Sequence, residues 1–422
     1  MRIANFSLLF VVFLDVMGQG LVIPIVTTLV LSQGQALLDA ETSTATRQLY
    51  YGLTIGGFFL SWFLGAAYIS KLTDVIGRKR GILICLGGNL TGYVLSILAI
   101  YLSSFPLLIL GRLISGFTAG NQPIAQAALV DLSGDDQEKT RNMGYVVVAL
   151  SLGLVAGPLM SGVLSDSSLL GSIASIQLPF YAASVMVLVN IALIVMFFHN
   201  VDFVPKKLRI RVTDIFRTLW DAGKRPIVLK LSLVFFCSQF AVNSFFIFVD
   251  SYLLRRFDFD TFENSIILVV FGGAMALAGA FLVPTLTKRF SKKSIIYVAL
   301  AGMAVSQILF MLNPIAVLAY VLVIPFVVGY AANYPQMLTL FSSSVDKTEQ
   351  GWVMGVTVAL WTLGAGIISS IGGELMSISI HLPFAISAGS LVIATVLMVT
   401  LWRGPDFEAL TSQSPPEPKS NA

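Results

Sequence analysis

Ser70-Lys71-Leu72-Thr73-Asp74-Val75-Ile76-Gly77-Arg78-Lys79-Arg80 is a short polar and basic stretch between two apolar runs, each long enough to cross a bilayer. Asp74 precedes Arg78 by four residues and Gly77 lies between them. The stretch therefore offers a carboxylate, a residue free to take positive φ and a planar guanidinium. Lys and Arg beside an apolar run ordinarily mark only the cytosolic flank of a span. The Asp and Gly add the parts of a latch, and the stretch reads as a tight cytosolic hinge.

Outward from this hinge the chain is apolar. Of its 422 residues 56% are hydrophobic and 11% charged, a balance that a water-facing surface cannot cover. The composition specifies an integral membrane protein, and runs of about 20 mostly apolar residues are helical spans. Twelve occur, near 5–31, 49–70, 81–104, 106–131, 141–164, 176–198, 227–254, 263–286, 293–312, 314–341, 351–375 and 380–402. No alternating barrel pattern is visible. Met1-Arg2-Ile3 opens an apolar run that continues through Pro24 to Leu31 without a small-residue cleavage site, so it reads as span 1. Termini in the cytosol place 22 of the 26 Lys and Arg on that side and three (Arg47, Arg255, Arg256) on the other, with Arg112 inside span 4. That bias fixes the expected orientation.

The second part of the chain echoes the first. Leu72-Thr73-Asp74 and Arg78-Lys79 return as Leu286-Thr287-Lys288 and Lys292-Lys293, and Asn121-Gln122-Pro123 as Asn333-Tyr334-Pro335. Met143-Gly144 and Gly153 return as Met354-Gly355 and Gly364. A nearly constant offset points to duplication: a six-helix half over 1–198, a cytosolic linker over 199–226, a second half over 227–403 and a disordered tail over 404–422. The linker carries an amphipathic piece, Val212 to Trp220, suited to the membrane interface.

Polar residues inside the spans are the candidate site. Asp15 lies near the middle of span 1 with Gln19 one turn on, and a carboxylate at that depth should face a cavity or cap a neighbouring helix. In span 4, Arg112, Ser115, Gln122 and Gln126 share one face by helical spacing; the alternative for Arg112 is snorkelling to the interface. Span 7 places Gln239, Asn243 and Asp250 on one face among phenylalanines, polar handles that suit an amphiphilic ligand. Asp250 could equally end the span beside Arg255 and Arg256. Glu374 lies near the end of span 11. Span 5 contains Gly153-Leu154-Val155-Ala156-Gly157-Pro158-Leu159-Met160-Ser161-Gly162, a small-residue stripe with a proline that invites a bend. Cys85 and Cys237 lie in different halves and the two histidines have no partner at ligand spacing, so neither a disulfide nor a metal is expected.

These motifs resemble the major facilitator superfamily. The hinge is similar to its span 2–3 loop, Gly-x-Leu-x-Asp-Arg-x-Gly-Arg-Arg/Lys, with Ser70 for the first Gly and Val75 for the Arg. Arg112 with Gly116 resembles its span 4 motif, and the span 5 string resembles the motif that accompanies proton-driven exporters. Together with the Asp15 segment they resemble the twelve-span drug:proton antiporters of tetracycline-efflux type. The resemblance implies twelve helices in two pseudo-symmetric halves, with spans 1, 4, 7 and 10 lining a cavity open alternately to either side. It implies proton coupling through Asp15, Asp250 and Glu374 with Arg112, and substrate contacts from Gln19, Gln122, Gln126, Gln239, Asn243, Asn333 and Tyr334. It implies a latch of Asp74, Gly77, Arg78 and Asp131, and a packing seam with a bend at Gly153, Gly157 and Pro158.

The expected function is export of a small amphiphilic organic molecule, a drug or a secreted metabolite such as a siderophore, against protons by a monomer in the inner membrane. Substrate and proton are expected to compete for one cavity. Proton-linked uptake is the alternative, and a non-transporting sensor a more distant one. No cofactor, nucleic acid or catalytic constellation is expected. Tetracycline exporters of this kind carry intramembrane acids in spans 3 and 9 and a His in span 8; here span 3 offers Asn89 and the others nothing equivalent.

Overall fold

The computed structural model describes residues 3–32, 37–133, 136–199, 214–346 and 349–411, and among them every regular element is a helix. Among the described residues eleven helices are long and apolar enough to cross a membrane. Span 4 is the twelfth and is not one helix. Phe105–Phe117 ends at Thr118, and Asn121–Asp131 starts after Gly120 with φ 139°, a backbone state that side-chain-bearing residues rarely hold. The single polar face expected along Arg112, Ser115, Gln122 and Gln126 is therefore interrupted. Span 2 is longer than its apolar run, Thr44–Ile76, so residues 71–76 are helical. The expected loop shrinks to Gly77, with φ 87° and ψ 156°, before span 3 begins at Arg78.

The chain packs as two compact units, one of residues 1–215, 243–273 and 362–383 and the other of 216–242, 274–361 and 384–422. In the first, glycines set helix contacts at backbone distance. A side chain at Gly116 would run into the carbonyl of Phe58 and one at Gly65 into that of Phe117, so spans 2 and 4 touch main chain to main chain. Gly92 and Gly111 do the same for spans 3 and 4. The span 2 glycines on another face, Gly52 and Gly56, lie against Ser369 and Ser370 of span 11 (Gln350–Ile378), and Gly373 lies against Gln48. Span 8 joins the same unit through Gly272, which meets Leu154 and Val155 of span 5 (Asp136–Ser165).

In the second unit, span 9 (Lys292–Leu312) and span 10 (Ala316–Ser343) pack together. Ser306 of span 9 donates to the Leu322 carbonyl of span 10 at 2.7 Å. Span 8 passes through a π-helical turn, Ala278–Leu282, before its last piece Val283–Arg289. Arg225, one residue before span 7 (Pro226–Phe257), forms a two-pronged ion pair with Glu349, both bonds 2.6 Å, and its guanidinium lies 4.5 Å from the centre of the Trp352 ring. Of the linker, Asp214–Gly223 is helical and residues 200–213 lie outside the described residues. The expected disordered tail begins instead with a helix, Pro405–Thr411: Phe407 and Thr411 are buried, and the Phe407 ring stacks on Trp402 at 5.6 Å. Apolar burial orders this turn; residues 412–422 lie outside the described residues.

Candidate functional site

Asp15 is the thirteenth residue of span 1, Ile3–Leu31, and is 7% exposed. Its position is set by the seam between spans 1 and 5. A Cβ on Gly153 would stand 2.6 Å from the Phe13 carbonyl oxygen, one on Gly157 would collide with the Met17 carbonyl, and one on Gly20 would stand 2.7 Å from Cδ of Pro158. The expected packing role of Gly153, Gly157 and Pro158 thus has a definite partner: the two turns of span 1 that carry Asp15. Across span 1, the Tyr93 hydroxyl of span 3 lies against the Cα of Gly18, where a side chain would exclude it.

A small cleft forms at this point, wholly within the first unit. Asp15 and Gln19 line it from span 1, Phe58 from span 2, Asn89 and Tyr93 from span 3, and Arg112 and Ser115 from span 4. Its free volume is about 20 Å³, room for a water molecule. Asp15 is turned toward Asn89, Asn121 and the backbone of Gln122, yet its Oδ2 makes no hydrogen bond. Arg112 is 6% exposed, its Nε unpartnered and its guanidinium carbon 4.2 Å above the Phe58 ring. The cation–π contact is the stabilising partner of that charge. Arg112 thus sits in the bundle interior and does not snorkel. Gln122 and Gln126 are half-buried on the second piece of span 4 and do not line the cleft.

Other expected site residues fall elsewhere. Asp250 is not placed with Arg112: it is fully buried in span 7 with neither carboxylate oxygen hydrogen-bonded. Nor does it end the span beside Arg255 and Arg256, since Arg255 donates to the Met376 carbonyl at 2.7 Å and Arg256 lies 3.1 Å from Nε2 of His381. Glu374, expected as a third proton carrier near the end of span 11, is exposed, on the face of that helix opposite Gly372 and Gly373, which are buried against Phe248 and Gln48. Asn243 is buried in the first unit. In the second unit Asn333 donates to the Ser238 hydroxyl at 3.1 Å, Tyr334 faces Phe235 at 6.3 Å and Tyr330 at 5.5 Å, and Gln239 is fully buried with both amide atoms unpaired.

Of the latch, the side chain of Asp74 lies outside the described residues. Arg78 pairs with Asp131, Nε to Oδ2 at 2.7 Å and Nη2 to Oδ1 at 3.3 Å, tying the start of span 3 to the end of span 4. Both side chains are more than a third exposed, so the pair contributes little to stability. Tyr93 and Phe58 were not singled out from sequence. Asn89 and Tyr93, one helical turn apart in an apolar run, were the available signal; nothing local marks Phe58.

An acid and a guanidinium, each incompletely satisfied inside a membrane bundle and gathered by glycine seams, mark this cleft as the candidate functional site. The family model described as Major Facilitator Superfamily matches residues 8–369. The chain belongs to the Major Facilitator Superfamily. It is similar to the class C tetracycline resistance protein of Escherichia coli, 30% identical over 88% of this chain and 87% of the relative. It is also similar to the quinolone resistance protein NorA of Staphylococcus aureus, 24% identical over 93% and 95%. Among solved structures, a D-xylose-proton symporter superposes with a TM-score of 0.77 at 15% identity, covering 97% of this chain and 100% of the other. That likeness shows the fold alone.

Proposed function

We propose that this transporter exports a small amphiphilic organic molecule in exchange for protons, with Asp15 as the coupling carboxylate. The observation that carries the reading is the cleft around Asp15: a buried carboxylate with one free oxygen that lines the same cleft as the cation Arg112, in a space sized for water. A carboxylate there can take a proton when dry and give it up when hydrated or drawn to a cation. The relatives' names, a tetracycline and a quinolone resistance protein, support export of an aromatic amphiphile, as does the seam of Gly153, Gly157 and Pro158 behind Asp15. The xylose symporter's likeness is one of fold and does not argue for uptake.

We assign substrate contact to the second unit, where Gln239 and Asn333 retain unpaired amide atoms beside Phe235, Tyr330 and Tyr334. Substrate and proton then act through the change of conformation and do not share one cavity. The distribution of Lys and Arg supports an inner-membrane protein with both termini cytosolic.

Proteoliposomes with an imposed pH gradient test the reading. Asp15→Asn should abolish gradient-driven flux while leaving substrate exchange, now insensitive to pH. Uphill flux surviving in Asp15→Asn would remove Asp15 from the mechanism.

A further inference from the structure

Two glutamines of the second unit are enclosed with nothing to bond. Gln239 of span 7 and Gln307 of span 9 are both fully buried, and among the described residues neither amide atom of either side chain has a hydrogen-bond partner. Buried side-chain amides are normally paired, so four unpaired atoms call for a group that supplies both donors and acceptors. Phe310 of span 9 stacks on Phe384 of span 12 (Leu382–Leu401) at 5.9 Å, and one turn along span 12 the Ser387 hydroxyl donates to the Ala241 carbonyl of span 7 at 2.9 Å. Gln307, one turn before Phe310, and Gln239, two residues before Ala241, therefore stand at nearly one level of the bundle. Met303, one turn before Gln307 on the same buried stripe, covers Gly329 of span 10, where a Cβ would stand 2.6 Å from its Cγ. Asn333, one turn after Gly329, donates to Ser238, the chain neighbour of Gln239, and keeps its own Oδ1 unpaired.

The internal duplication relates these amides to the Asp15 cleft. Span 3 starts at Arg78 and span 9 at Lys292, so Tyr93 corresponds to Gln307, as Asn121 does to Asn333. Spans 1 and 7, aligned by either end (Ile3 with Pro226, Leu31 with Phe257), place Asp15 in register with residues 238–241, which include Gln239. The second half thus holds a counterpart of the cleft in which neutral amides replace the acid and the phenol. Charge is missing from the helices around it: residues 231–249 of span 7, 294–343 through spans 9 and 10, and 382–401 of span 12 contain no Asp, Glu, Lys, Arg or His. An ionised ligand group buried here would have no counter-ion, whereas an uncharged group with one donor and one acceptor matches an amide on both edges.

We propose that Gln307 completes, with Gln239 and Asn333, a binding site for an uncharged donor-and-acceptor group of the substrate, a carboxamide, lactam or urea. The site lies among spans 7, 9, 10 and 12, with Phe235, Tyr330 and Tyr334 beside the ligand's apolar part. Selection here is for the neutral head, and any charge on the substrate stays outside this site. The inference rests on the assignment of substrate contact to the second unit and adds to it a residue of span 9 and a chemical class.

The full chain in lipid nanodiscs is dialysed to equilibrium against naphthamide, naphthoate and naphthylmethylammonium, one ring with three heads, and uptake by empty nanodiscs is subtracted. The parent should bind the amide saturably and about tenfold or more tightly than either ion. Gln307→Leu and Gln307→Met, which keep the size and remove the amide, should each weaken amide binding by about tenfold and leave the two ions unchanged. Both variants should unfold at or above the parent's temperature, since the protein itself loses no bond. The inference is overturned if the parent does not prefer the amide, or if both variants bind it as the parent does, Gln307 then meeting water alone. It is overturned too if both variants lose all three probes together, since Gln307 would then only hold the helices in place. Gln239→Leu distinguishes these failures from failure of the substrate assignment. Amide binding that falls in Gln239→Leu and not in Gln307→Leu keeps the substrate in the second unit without span 9; amide binding untouched in both removes the assignment as well.

Discussion

Gly153→Ala asks whether the seam between spans 1 and 5 holds Asp15 in place. The new methyl would stand 2.6 Å from the Phe13 carbonyl oxygen, 3.1 Å from the Met17 backbone nitrogen and 3.1 Å from Cβ of Val16, whereas ordinary contact begins at 3.4 Å. Two of these three are main chain, so no side-chain rotation relieves the clash and span 1 must retreat by about 1 Å along the turn that carries Asp15. Overpacking of this kind costs roughly 1–3 kcal/mol. The helical preference of Ala over Gly offsets that by up to about 1 kcal/mol. Gly389→Ala in span 12 is the matched control, since nothing lies within 4 Å of its Cβ and only the helical gain remains. Thermal unfolding in detergent should show Gly153→Ala below the parent and Gly389→Ala at or above it, while gradient-driven flux falls in Gly153→Ala alone. Equal stability and flux in the two variants would refute the close approach and the positioning of Asp15 that rests on it.

Gly77→Ala forces φ 87°, ψ 156° on a residue with a Cβ at the one-residue joint of spans 2 and 3, and should lose roughly 1–3 kcal/mol, read by thermal unfolding against Gly87→Ala, whose Cβ would meet nothing within 4 Å. At the Arg225–Glu349 pair, the Arg225 guanidinium holds the Glu349 carboxyl below the usual carboxylate range. Its contribution to stability is therefore present above the unfolded carboxylate's pKa and lost as pH falls through the depressed folded value. Glu349→Gln should lower the unfolding midpoint at neutral pH and flatten its decline on acidification, an effect that high salt should shrink in the parent.

Hydropathy sums along the chain, so the spans, their number and the Lys and Arg flanks were legible from residues in order, as was the depth of Asp15. The backbone freedom of Gly77 and the tightness of the span 5 glycines are equally local properties. What local sequence does not carry is which face meets which. Spacing put Arg112 on one stripe with Gln122; the break at Gly120 ended the stripe, and packing gave Arg112 to Phe58 and the Asp15 cleft. Spacing left Asp250 either on a polar face with Gln239 and Asn243 or as a span end beside Arg255 and Arg256, but the turns on either side of it are tied to Tyr51 and Gln48, about 200 residues away in the chain, and leave it bare. Whether a buried acid is paired depends on donors brought by distant segments, and those donors meet only when the helices pack.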